Sequence, residues 1–246
     1  MASIILAHEH GEPIDYIVFS EVMFDKAADI SGENPEHIRF IREVAVPKFE
    51  EWGYKVLILR AKRDYLDFFN RRIENPRKNE AHKGLKFGFP CIGFCGVKRD
   101  CKEKPIKDFL NSFDEPVMQY LGIASDEPNR LRSMKKDPLK ISLLEKYGYT
   151  EEMAKKKCLE YGLLSPTYGL SNRGGCFFCP YAKLAEHQMM KEQYPEVWAR
   201  FVALEDEKDI AYKRWNVHRE TLRERDELLE QMGEYEQVSI FDFISV

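Results

Sequence analysis

The residues in this chain best suited to chemistry are its cysteines. Cys176-Phe177-Phe178-Cys179-Pro180 follows Arg173-Gly174-Gly175, a C-x2-C knuckle in which glycines permit the tight turn that aims two sulfurs at one point. Two thiolates leave a tetrahedral site half filled, so further ligands are required. Cys158 and Cys101, the latter in Arg99-Asp100-Cys101-Lys102, lead as completing ligands, with Cys91 and Cys95 as competitors. The alternative is a set of buried free thiols acting as small apolar side chains. The expectation is therefore a zinc or iron–sulfur site at Cys101, Cys158, Cys176 and Cys179.

A second candidate lies in Gly122-Ile123-Ala124-Ser125-Asp126-Glu127-Pro128-Asn129-Arg130, where two carboxylates and an arginine follow an apolar run. Arg130 could fork onto a phosphate or sulfate, with Asp126 and Glu127 orienting it. The same residues would serve equally as a capped helix start with a surface ion pair. The six histidines form no i, i+4 pair around a glutamate, so a metalloprotease-type zinc site has no support. Neither a G-x-S-x-G elbow nor a Walker loop occurs.

These groups need a scaffold, and the chain supplies alternating strand and helix patterns. Ala2 to His10 reads as a helix ended by Gly11, and Ile14 to Phe19 as a strand buried on both faces. Asn34 can cap a helix that has Pro35 at its first position and an apolar stripe from Ile38 to Trp52, with a kink at Pro47 and a stop at Gly53. Strands are expected over Tyr54 to Leu59 and Val117 to Ile123, the latter entering the Asp126 loop at the carboxyl edge of the sheet, where open α/β folds bind ligands. From Thr150 the pattern is helical: Glu151 to Tyr161, Lys183 to Tyr194, Pro195 to about Lys208, and a charged helix from about Asp209 to Met232. The apolar tail Val238 to Ile244 is expected to dock on the body. This implies a nucleotide-binding α/β domain at 1–145 and a helical, cysteine-bearing region at 146–246.

At 246 residues and 43% hydrophobic content the chain can bury a sizeable core. Its 33% charged residues and short apolar runs exclude a bilayer-spanning helix. The first residues carry no basic leader, so a cytoplasmic location and no membrane partner are expected, with the six cysteines reduced. A net charge of −4 provides no global field toward nucleic acid. Basic residues still crowd Arg60 to Lys78, Lys98 to Lys107 and Arg130 to Lys140, as local anion sites or as solvated faces.

Several blocks together resemble the phosphoadenosine phosphosulfate (PAPS) reductase family. They are Cys101-Lys102 with Pro105-Ile106; Tyr120 to Ala124 with Asp126, Glu127 and Arg130; Leu143-Leu144-Glu145; Thr150-Glu151; Cys158; Tyr161-Gly162-Leu163; Ser165-Pro166 with Tyr168; Arg173 to Cys176 through Cys179-Pro180; and Pro195-Glu196 with Trp198. The resemblance covers about residues 2 to 205. It implies a doubly wound, mostly parallel sheet of the adenine nucleotide alpha hydrolase-like kind, with ATP or PAPS as cofactor or substrate. It places Asp126, Glu127 and Arg130 at the nucleotide and the cysteines beside it. It also implies sulfur chemistry with a sulfur donor protein as partner. Two departures matter. Sulfonucleotide reductases use a nucleophilic cysteine near the C-terminus, and no cysteine follows Cys179, so sulfite release is not expected. Family members also open with a strand and a Ser-Gly-Gly-x-Asp-Ser phosphate loop, whereas here Ala2 to His10 reads as the helix that would follow it. The expectation is a remainder of a longer protein with weak nucleotide affinity. The rival reading is a non-enzymatic cysteine-knuckle protein that binds nucleic acid.

Overall fold

A computed structural model describes residues 1–89, 95–170, 175–216 and 218–232. The chain is mixed α/β, with short two-stranded pairings. It divides into two units that interleave along the sequence: residues 1–20, 36–59 and 105–168 form the first, and 21–35, 60–104 and 169–246 the second. This differs from a single cut near residue 145, because helix Glu151–Glu160 packs with helix Ala2–His10 in one core. No helix among the described residues is long and apolar enough to cross a membrane.

The first unit is built around helix Ala2–His10, which buries Ile5, Leu6 and Ala7 and stops at Gly11 in the left-handed region, φ 65°. Strand Tyr16–Glu21 pairs with Lys55–Arg60. The intervening helical run from Pro35 to Glu51 passes through a π-turn at Ile41–Ala45, where the Val46 N–H donates to the Ile41 carbonyl. Pro47 explains it: its ring would strike the Glu43 carbonyl and it has no N–H to offer, so one extra residue is accommodated in the preceding turn. The expected strand from Val117 to Ile123 shortens to Gln119–Tyr120, paired in parallel with Lys140–Ile141. Met118 is 49% exposed, so the apolar run overstated what is buried. Helix Pro128–Met134 lies between these two strands in sequence.

The second unit has an aromatic core of Phe24, Tyr65, Phe69, Phe89, Phe177, Phe178, Phe201, Trp198 and Trp215. Helices Leu184–Gln193 and Pro195–Ala203 match the expected ones closely. The charged helix expected from Asp209 does not form there. Asp209 takes a positive φ of 61°, Ile210 is buried, and Ile210–Tyr212 becomes a strand parallel to Lys86–Gly88. Helix resumes only at 222–232. The tail from Val238 to Ile244 lies outside the described residues.

Candidate functional site

Knuckle geometry comes from local turns and one backbone docking. The Cys179 N–H donates to the Cys176 carbonyl at 3.1 Å, and the Ala182 N–H to the Cys179 carbonyl at 2.8 Å. Phe177 donates its N–H to the Gly32 carbonyl at 2.9 Å, and Glu33 and Cys176 form an antiparallel bridge. Directly opposed residues of such a bridge carry their side chains on the same face, so Glu33 and Cys176 are neighbours. Gly32 permits this approach: a Cβ there would sit 2.5 Å from Cε1 of Phe178 and 2.9 Å from the Val22 carbonyl oxygen. The ring of Phe178 is fixed in turn by Tyr65, at 4.1 Å between centroids.

Lys102 is the charged complement. It lies on a π-turn, Lys98–Glu103, closed by a Lys104 N–H to Arg99 carbonyl bond. The cause is again a proline: Pro105 would collide with the Cys101 carbonyl four residues back. Nζ of Lys102 stands 3.6 Å from Oε1 of Glu33, whose side chain is 1% exposed. That oxygen has no hydrogen-bond partner among the described residues. Burial pushes the Glu33 carboxyl above the usual carboxylate range, and Lys102 opposes the shift. For Lys102, desolvation acts downward, but Glu33, Cys176 and Cys179 together hold its ammonium above the ordinary lysine value. Cys176 is half-buried as a residue but its thiol is enclosed. Burial and Glu33 push that thiol well up while Lys102 pulls it down.

The remaining described cysteines divide between the two units, Cys95 and Cys101 in the second and Cys158 in the first. Cys101 is fully buried and donates its S–H to the Arg63 carbonyl at 3.3 Å. Burial first, then Asp100, Asp64 and Asp67, push its thiol up to about 12. Cys95 accepts the Lys98 N–H at 3.4 Å and packs against the same core as Cys176 and Cys179. Cys158 belongs to the first unit, on helix Glu151–Glu160, where it is buried and takes a hydrogen bond from the Ala2 backbone. Burial raises its thiol and the neighbouring Met1 ammonium moderates the shift. Cys91, Arg173 and Gly174 lie outside the described residues. Among the described residues no three Cys, His, Asp or Glu side chains are gathered as a ready metal cage. Cys176 and Cys179 supply two sulfurs of a suitable kind, and Cys95 and Cys101 lie in the same unit.

In the first unit Asp126, Glu127 and Arg130 are brought together on one corner. Oε2 of Glu127 accepts the Ala124 N–H at 3.0 Å, and its Oε1 accepts from Nη1 of Arg130 at 2.5 Å. Oδ1 of Asp126 accepts the Glu151 N–H at 3.1 Å, beside the Thr150 cap of helix Glu151–Glu160. The Ser125 N–H to Tyr149 carbonyl bond, 2.8 Å, ties the corner together. Both carboxylates thus have structural partners, and the Arg130 side chain remains 61% exposed.

Sequence reasoning missed Glu33 and Lys102. Lys102 could have been flagged by its place next to Cys101. Nothing local marks Glu33, which reaches the sulfurs only through the Gly32–Phe177 docking. Some of the basic residues in these segments are paired: Arg60 with Glu21 and Asp29, Lys98 with Glu103, Arg99 with Asp100, Lys135 with Glu145 and Lys140 with Asp137.

Comparison with known proteins gives little more. No family model matches the chain, and no solved structure matches it. An uncharacterized protein of Methanocaldococcus jannaschii is similar at 22% identity over 166 residues, covering 54% of this chain. The match takes in 33% of that protein's length.

Proposed function

We propose that this chain is a PAPS reductase-like protein of adenine-nucleotide-dependent sulfur chemistry whose working centre is the Cys176–Cys179 knuckle. One observation carries the reading: a partly exposed lysine, Lys102, and a buried glutamate, Glu33, lie beside these two sulfurs in the second unit. Enclosed thiols ionise only beside positive charge. Lys102 supplies part of it, and a zinc or iron–sulfur centre would supply the rest. Cys176 and Cys179 would hold the group, with Cys101 and Cys95 as the nearest further donors in the unit. When bound, such a centre lowers thiol pKa values or carries electrons, according to its kind. Glu33 offsets the ammonium of Lys102 and keeps it aimed at the sulfurs. Gly32 and Phe178 hold the turn.

The nucleotide would be held by Arg130, oriented by Glu127, on the loop after strand Gln119–Tyr120. A loop at the carboxyl end of a parallel strand is the usual ligand position in an open α/β sheet, and the parallel pairing across helix Pro128–Met134 supports a doubly wound arrangement. The net charge of −4 weighs against the rival nucleic-acid reading.

Equilibrium dialysis with ATP, PAPS and single-stranded RNA tests this. Adenine nucleotide should be retained at millimolar concentration and lost roughly tenfold in Arg130→Ala, the effect of one charge-assisted contact. Retention of RNA alone, or equal nucleotide retention by the variant, contradicts the proposal.

A further inference from the structure

The second unit contains a cavity of about 320 Å³ that the cysteine chemistry does not use. It is lined by the loop after the knuckle, Pro180 to Leu184, and by Asn216, His218 and Arg225. That volume is at the small end of ligand sites.

Its floor is a built polar structure. Asn216 is 1% exposed and organises the turn, its Oδ1 accepting the N–H groups of His218 and Glu220, both at 3.0 Å. Nδ2 of Asn216 donates to Oε2 of Glu220 at 2.6 Å, and the same oxygen accepts from Nη2 of Arg225 at 2.5 Å. Arg225 is nine-tenths buried on helix 222–232, with its guanidinium 5.5 Å from the ring centre of Trp215. Glu220 therefore fixes one edge of the guanidinium. The Nε–H of Arg225 has no hydrogen-bond partner among the described residues, and the indole N–H of Trp215 beneath it has none either. Both groups can only donate, and a buried donor left unmade is costly. Lys183 and His218 stand at the exposed rim.

We infer that this cavity is a binding site for a tetrahedral oxyanion, phosphate or sulfate, free or as the ester head of a small molecule. The guanidinium of Arg225, which lines the cavity, donates to it from the floor, and Lys183 and His218 close on it from the rim. A fixed guanidinium edge and a flexible ammonium together suit an anion with several acceptor oxygens. Pro180, Ala182 and Leu184 supply an apolar wall against which an ester's organic part can lie. The inference is independent of the cysteine centre and of the Arg130 loop, and would survive the failure of either.

The test uses the intact chain at constant ionic strength, titrated separately with inorganic phosphate, inorganic sulfate and sodium chloride. The indole N–H resonance of Trp215 and the Nε–H resonance of Arg225 are followed by NMR. Saturable shifts of both with phosphate or sulfate, and none with chloride, are expected, the tighter anion naming the physiological class. Lys183→Met and His218→Asn alter only exposed side chains, so the fold stays intact. Lys183→Met should weaken binding roughly tenfold or more, as expected for one lost charge-assisted contact. Absence of saturation by either oxyanion, or unchanged affinity in both rim variants, overturns the inference.

Discussion

Gly32→Ala is the most direct perturbation of the knuckle's seat. The backbone at Gly32 lies outside the left-handed region, so the constraint is space alone. The new methyl would meet Cε1 of Phe178 at 2.5 Å and the Val22 carbonyl oxygen at 2.9 Å, against 3.4–4 Å for ordinary contact. The ring must retreat by about 1 Å to reach a normal carbon–carbon separation. It cannot do so freely, because Tyr65 lies 4.1 Å away and Phe24 and Phe177 lie at 6.0 and 5.4 Å. Forced overpacking of a filled core costs about 1–3 kcal/mol. Urea unfolding in a Trp52→Phe background, read by Trp198 and Trp215 fluorescence, would report the second unit, whose core holds both indoles. Phe178→Leu removes the obstructing ring edge but leaves the Val22 carbonyl contact at 2.9 Å, so in that background Gly32→Ala should cost less by at least about 0.5 kcal/mol, a coupling typical of touching residues. Equal effects of Gly32→Ala in both backgrounds, or no effect in either, would refute the packing argument.

Cys101, buried with its thiol raised to about 12, should resist alkylation in the native protein at pH 8 and react only on unfolding; peptide mapping after timed iodoacetamide treatment checks this. Glu9 is held below the usual carboxylate range by Tyr161 and then Lys157, and Glu12 by Lys146 and then Tyr147, both against opposing desolvation. A depressed folded value means the stabilisation is present above the unfolded pKa and lost as pH falls through the folded one. The first unit should therefore loosen as pH drops below about 4.3, and Glu9→Gln should flatten that part of the melting-temperature profile. Incubation with PAPS and reduced thioredoxin should yield no sulfite, since no cysteine follows Cys179. Sulfite production abolished by a single cysteine substitution would refute that expectation.

Local signals were readable where chain neighbours decide the outcome. Helix Ala2–His10 with its Gly11 stop, the Thr150 cap, whose Oγ1 accepts the Met153 N–H at 3.3 Å, and the Pro195 start all follow from caps and breakers within a few residues. The corner of Asp126, Glu127 and Arg130 was legible in part: the surface ion pair forms between Glu127 and Arg130, but neither carboxylate caps helix Pro128–Met134, and Asp126 instead accepts the Glu151 N–H. Residues 209–221 were misread because their charge suits a helix. The strand Ile210–Tyr212 depends on Lys86–Gly88, more than a hundred residues earlier, which no local pattern reveals. The same holds at the candidate centre: Glu33 meets Cys176 through a backbone bridge across the chain. Likewise, Arg225 is held by Glu220, which Asn216 orients in turn, an arrangement made by the turn before its helix.

The central claim is that Cys176 and Cys179 form a metal-holding centre charged by Lys102. Its most direct test is elemental analysis and visible absorption of anaerobically purified protein, alongside Cys176→Ser, Cys179→Ser and Lys102→Met. About one zinc ion or one iron–sulfur cluster per chain is expected, lost in either serine variant and bound more weakly in Lys102→Met. A folded, metal-free parent with both knuckle thiols open to titration, or a metal content untouched by either serine substitution, would contradict it.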